Sequence, residues 1–126
     1  MDIYTGIDVV ENKRIKKAID RFGDRFLGRI FQKNEVEYCS SLAGKIPCLA
    51  ARFAVKEAFV KAFYQATGII LPYRAVEVRG KRGKPAEIFL HPPNDRAREA
   101  LSRIRYTFSL SHEKSYSVAI VVIYTV

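Results

Sequence analysis

RFAVKEAFVKAF, residues 52–63, decides how the chain folds and where its chemistry lies. Successive residues of a helix are about 100° apart. At that spacing Ala50, Ala54, Ala58 and Ala62 form one row, and Ala51, Val55, Phe59 and Phe63 form the next. The two rows predict a long helix with a wide buried side. Arg52 and Lys56 form its expected solvent edge. Glu57 and Lys61 do not join that edge; they lie between the alanine row and Phe53 with Val60. On an open face such a pair contributes about 0.2–0.5 kcal/mol and needs no further reason. Flanked by apolar residues it carries a desolvation cost, normally met by a partner, a metal or a ligand.

Pro47 suits the first turn of this helix, and Gly68 its end. Before it, MDIYTGIDVV reads as a strand, with Ile3, Thr5, Ile7 and Val9 on one face and Tyr4, Gly6, Asp8 and Val10 on the other. Residues 12–31 form a basic amphipathic segment: Ile15, Ile19, Phe22 and Phe26 make one stripe, and Arg14, Lys17, Arg21 and Arg25 another. Gly23 should bend or break it. Asn34 with Glu37 has the form of a helix cap opening NEVEYCSSL. After Gly68 the pattern turns to strands. YRAVEVRG and PAEIFLHP flank the turn GKRGKP as a hairpin. NDRAREALSRI is a short helix capped by Asn94 or Asp95. RYTFSLS alternates, with Tyr106, Phe108 and Leu110 on one face, and YSVAIVVIYTV is apolar enough for a central strand. The expected class is α+β, an antiparallel sheet packed against one long helix and shorter ones, as one domain over residues 1–126.

The chain has 22 Lys and Arg against 13 Asp and Glu, a net charge of +9, which favours an acidic or polyanionic partner. Asp2 and Glu11 interrupt the first apolar run, so no secretory signal is read there, and the longest apolar run is too short to span a bilayer. A cytoplasmic protein with no membrane anchor is expected. Cys39 and Cys48 have neither metal-ligand spacing nor the pattern of a disulfide framework, and packed thiols are expected.

Asp8 is a second misplaced carboxylate, since aspartate is disfavoured in strands. Its face neighbour Gly6 leaves room beside it. One carboxylate on a strand and one on a helix, with a lysine nearby, suit a Mg²⁺ ion that keeps waters and binds phosphate oxygens. Two structural salt bridges are the competing reading. His112 in SLSHEKSY lies at the end of an alternating strand, where a lone histidine is ordinarily a solvated turn residue. GKRGKP brings glycines and the cations Lys81, Arg82 and Lys84 together, equally a phosphate approach or a solvated hairpin tip.

In order, GIDVVE (6–11), RFAVKEAFVKAF (52–63), GKP (83–85) and SLSHE (109–113) resemble the bacterial holo-acyl-carrier-protein synthases, which are 4′-phosphopantetheinyl transferases. The resemblance spans nearly the whole chain. It implies a Mg²⁺-dependent transfer of 4′-phosphopantetheine from coenzyme A to a serine of apo-acyl-carrier protein, releasing adenosine 3′,5′-bisphosphate, in fatty acid biosynthesis. By the same resemblance Asp8 and Glu57 are the metal carboxylates, with Glu57 also a candidate base. Lys61 lies at the pyrophosphate, His112 near the nucleotide phosphates, and Arg52, Gly83, Lys84 and Pro85 are coenzyme A contacts. A homotrimer with sites between subunits is implied, and carrier proteins are acidic, which makes Arg14, Lys17, Arg21 and Arg25 docking residues. The segment FYQATGI, 63–69, departs from the family's glycine-rich turn. A nucleic-acid-binding module is the rival from another class, but it leaves Asp8 and Glu57 unexplained, because carboxylates repel phosphates unless a cation intervenes. No nucleic-acid or membrane partner is therefore expected. A binding protein that keeps the fold without the activity is a further rival, one that loss of a metal carboxylate would support.

Overall fold

The long helix forms over Lys45–Thr67, with Pro47 in its first turn and Gly68, at φ 74°, closing it in the left-handed conformation that glycine tolerates. The computed structural model describes residues 1–81 and 83–126; Arg82, one of the cations of the GKRGKP turn, lies outside the described residues. The elements run β1 (Ile3–Glu11), α1 (Asn12–Phe22), α2 (Asp24–Ile30), α3 (Lys33–Ser40), α4 (Lys45–Thr67), a 3₁₀ turn (Tyr73–Ala75), β2 (Val76–Arg79), β3 (Glu87–Leu90), α5 (Asp95–Ser102), β4 (Ile104–His112) and β5 (Tyr116–Thr125). As the sequence predicts, Gly23 separates α1 from α2, with φ 55°. Asn94 caps α5 by accepting a hydrogen bond from the Ala97 N–H.

Strands β1, β5 and β4 make an antiparallel sheet with β5 in the middle, and β2 and β3 pair as a separate hairpin. Register sorts the sheet into two faces. On the inner one, Gly6, Val121 and Phe108 form a row, Asp8, Ala119 and Leu110 the next, and Val10, Ser117 and His112 a third. That face packs on α4, and Leu49, Ala54, Val55, Ala58, Phe59, Ala62, Phe63, Val121 and Ile123 are all buried between or beside them. On the outer face Ile3, Ile7 and Val9 are 63%, 60% and 62% exposed, and Tyr116 and Ile120 are also exposed.

Gly6 meets the helix backbone. A β-carbon there would overlap the Ala58 carbonyl oxygen and press on the Ala62 nitrogen. The room beside Asp8 is therefore filled by α4 itself, where the sequence pointed to space for a ligand. The absent side chain of Gly6 and the small ones of Ala58 and Ala62 bring strand and helix together, as the alanine row promised.

Three further expectations are corrected. The first turn of α3 is capped by Gln32 with Glu35, two residues before the Asn34–Glu37 pair read from sequence. Arg52 and Lys56 are not a solvent edge: they are 8% and 0% exposed. Residues of α3, the 3₁₀ turn and β2 cover that side. There Lys56 Nζ donates to Glu35 Oε1 at 2.7 Å and to the carbonyls of Val76 at 2.5 Å and Tyr73 at 3.3 Å. Glu35 also accepts from the Val78 and Gln32 N–H groups, so the buried charge pair is satisfied on both sides. Finally, Cys39 and Cys48 are a disulfide rather than packed thiols. The turn between α3 and α4 folds the two helix ends together, to a Cα–Cα distance of 5.5 Å within the range a disulfide requires. Residue spacing alone does not reveal that turn.

Candidate active site

Two clusters of functional groups face different sides of α4. The first joins β1 to the helix. Lys61 Nζ donates to Asp8 Oδ1 at 3.3 Å and to the Ile7 carbonyl at 3.1 Å. Asp8 Oδ2 is buried without a hydrogen-bond partner among the described residues. Burial, and the negative charge of Glu57, raise the Asp8 carboxyl above its ordinary value, against the opposing pull of Lys61. Glu57 stands one turn before Lys61 and accepts a 2.5 Å hydrogen bond from the Tyr73 hydroxyl at Oε2. Burial, with the adjacent Glu57 and Asp8 charges, pushes the Tyr73 hydroxyl up to about 12, which keeps it a donor at neutral pH. The structure thus brings together Asp8, Glu57 and Lys61, and adds Tyr73.

An orphaned carboxylate oxygen beside a second carboxylate is a charge arrangement that a divalent cation would relieve, and hard oxygen donors suit Mg²⁺. Among the described residues no group of three or more His, Cys, Asp or Glu converges on one point. The cluster therefore fits an ion that takes two protein oxygens and completes its shell with water or phosphate, and not an all-protein cage.

The second cluster lines a groove of about 1020 Å³ whose walls include Tyr38, Cys48, Arg52, Lys84, Pro85 and His112. Arg52 lies over the Tyr38 ring at 5.0 Å and its Nη1 donates to Cys48 Sγ at 3.1 Å, while its buried Nε has no partner among the described residues. Burial lowers the Arg52 guanidinium from its ordinary value, although Glu35 nearby opposes that shift. Gly83 supplies the positive φ, 83°, of the turn that presents Lys84 and Pro85, and it does not itself line the groove. His112 ends β4. Asn12 donates to the carbonyls of Glu113 and Lys114 and accepts from Ser117 Oγ, which anchors the turn just beyond His112.

Arg52 and Glu57 are five residues apart on α4, so their side chains diverge by about 140°. The structure does not join the two clusters into one pocket on this chain. The docking candidates Arg14, Lys17, Arg21 and Arg25 are all exposed on α1 and α2. Tyr73 is the member of the cluster that sequence reading passes over: it begins a 3₁₀ turn, where no periodicity marks its partner 16 residues away.

Known proteins of similar sequence and fold identify the family. Residues 4–121 match the 4′-phosphopantetheinyl transferase superfamily. A holo-[acyl-carrier-protein] synthase of Aquifex aeolicus is 46% identical over 115 residues, covering 91% of this chain and 93% of that protein. The Chronobacterium ammoniagenes ACPS–CoA complex superposes with a TM-score of 0.82 over 100% of this chain and 99% of the other, at 23% identity, a likeness of fold. The Helicobacter pylori holo-[acyl-carrier-protein] synthase in complex with coenzyme A gives a TM-score of 0.76 and 28% identity, over 95% and 99% of the chains. The chain belongs to the 4′-phosphopantetheinyl transferase superfamily. No helix among the described residues is long and apolar enough to cross a membrane.

Proposed function

We propose that this protein, as one domain over residues 1–126, transfers 4′-phosphopantetheine from coenzyme A to a serine hydroxyl of apo-acyl-carrier protein in fatty acid biosynthesis. In that reaction the serine oxygen bonds to the phosphorus that carries pantetheine. The diphosphate P–O bond breaks and adenosine 3′,5′-bisphosphate leaves. The observation that carries the reading is an Asp8 carboxylate held by Lys61 through Oδ1 and left unpartnered at Oδ2, with the Glu57 charge nearby, at the seam where Gly6 meets Ala58.

Asp8 and Glu57 would hold Mg²⁺, which when bound offsets the negative charge of the diphosphate. Lys61, anchored by Asp8 and the Ile7 carbonyl, presents its ammonium to the same oxygens, where charge accumulates during phosphoryl transfer. Glu57 is the candidate to take the serine proton, directly or through a water. In the groove, Arg52 presents its guanidinium to a phosphate, with His112, Lys84 and Pro85 as further coenzyme A contacts and Gly83 shaping the turn that carries the last two.

A homotrimer accounts for two features of the single chain. The outer sheet face exposes Ile3, Ile7, Val9 and Ile120, a hydrophobic surface of the kind that marks interaction sites. The divergence of Arg52 from Glu57 is resolved when the carboxylate cluster of one subunit and the groove of its neighbour share one coenzyme A. Arg14, Lys17, Arg21 and Arg25 form the basic surface for the acidic carrier protein.

The test is chromatographic measurement of adenosine 3′,5′-bisphosphate formed from coenzyme A. Release should require apo-carrier protein and a divalent cation together. Release without the carrier protein would mark a hydrolase and contradict the transferase reading.

A further inference from the structure

The Tyr73 hydroxyl is held at Glu57 by a chain of contacts that begins in the buried core. Glu35 pairs with Lys56, whose ammonium also takes the carbonyls of Tyr73 and Val76 and so pins the 3₁₀ turn against α4. Lys56 precedes Glu57 in the helix, so one residue fixes the backbone of the turn and the next receives its side chain. The Tyr73 ring packs on Phe53 at a centroid distance of 5.6 Å, which sets its direction. Its hydroxyl then reaches Glu57 Oε2 at 2.5 Å and leaves Oε1 outside that bond. A carboxylate on a long, partly exposed side chain otherwise samples several rotamers. Hydrogen-bond partners behind a metal ligand orient it, and losing one typically weakens metal affinity 10–100-fold.

We infer that Tyr73 is a positioning residue for the divalent cation: its hydroxyl fixes the Glu57 carboxylate so that Glu57 and Asp8 meet the ion together. The inference rests on the metal reading given above and assigns a role to a residue that neither coordinates the ion nor touches substrate. The phenol takes one carboxylate oxygen and would leave the other for the ion, and the aromatic stack on Phe53 supplies rigidity.

Free Mn²⁺ measured by electron paramagnetic resonance, in titrations of the protein with coenzyme A and corrected for coenzyme A alone, tests this directly. Tyr73→Phe keeps the ring and removes only the hydroxyl, so the melting temperature should stay near that of the parent while the Mn²⁺ dissociation constant rises about tenfold. Tyr73→Leu should lose no more metal affinity than Tyr73→Phe but should melt lower, because the ring is gone. Glu57→Gln marks the full loss of the ligand. Parent-like Mn²⁺ affinity in Tyr73→Phe, with affinity lost in Glu57→Gln, would overturn the positioning role and leave the metal site standing. Equal, negligible binding by parent and Glu57→Gln would overturn the metal reading and the positioning role with it.

Discussion

Gly6 of β1 lies against the backbone of Ala58 of α4, so closely that no β-carbon fits between them. This contact sets the distance from which Asp8, two residues along the strand, meets Lys61 from the helix. Gly6→Ala should therefore push the helix off the sheet. Overpacking of this kind costs about 1–3 kcal/mol, and the metal concentration needed for half-maximal rate should rise as well. Ala58→Gly should not rescue the variant, because the obstructing atom is a carbonyl oxygen. Thermal melts and metal titrations of the single and double variants check both statements.

Asp8→Asn separates stability from activity. Burial raises the Asp8 carboxyl above its ordinary value of 3.8, so the folded state favours the protonated form. The stability tied to that proton is fully present below 3.8 and is lost as pH rises through the raised value. Near neutral pH, Asp8→Asn should then melt above the parent in the absence of divalent metal while losing activity. The difference in melting temperature should shrink as the pH falls toward 3.8. A variant that melts lower at neutral pH would show that the Lys61 pairing outweighs burial.

Lys56→Met tests the internal brace. It strands the Glu35 charge in the core, and breaking a buried pair from one side costs about 3–5 kcal/mol. Adding Glu35→Gln removes the stranded charge while keeping an acceptor for one of the two backbone N–H groups, so part of that loss should return in denaturant melts of the double variant.

How much of this was legible in the sequence depended on range. Helix α4, the β2–β3 hairpin and the central place of β5 were readable because alanine rows, turn residues and strand patterns are local signals. Asp8 and Glu57 stood out because each carboxylate occupied a place its element disfavours. Lys56 did not stand out: helical spacing assigned it to solvent, and its partner Glu35 lies 21 residues away on a separate helix. The same limit hid the Cys39–Cys48 bond, which depends on the turn between α3 and α4. It also hid Tyr73, whose hydroxyl finds Glu57 only because Lys56 holds the 3₁₀ turn in place.

Charge reversal on the basic helices tests docking. Arg14→Glu with Arg21→Glu should raise KM for carrier protein several-fold more than KM for coenzyme A, since exposed charges act mainly on encounter with a charged partner. Added salt should narrow the gap between variant and parent. Equal effects on the two KM values would remove the docking role from these residues.

The central claim is that phosphopantetheine is moved to a carrier serine through the Asp8–Glu57–Lys61 cluster. The most direct measurement is the intact mass of apo-acyl-carrier protein after incubation with this protein, coenzyme A and Mg²⁺, beside samples containing a chelator or the Glu57→Gln variant. A gain of one phosphopantetheine group, absent from both controls and from carrier protein whose acceptor serine is replaced by alanine, is the predicted result. An unchanged mass with folded parent protein, or an equal gain with Glu57→Gln, would contradict the account.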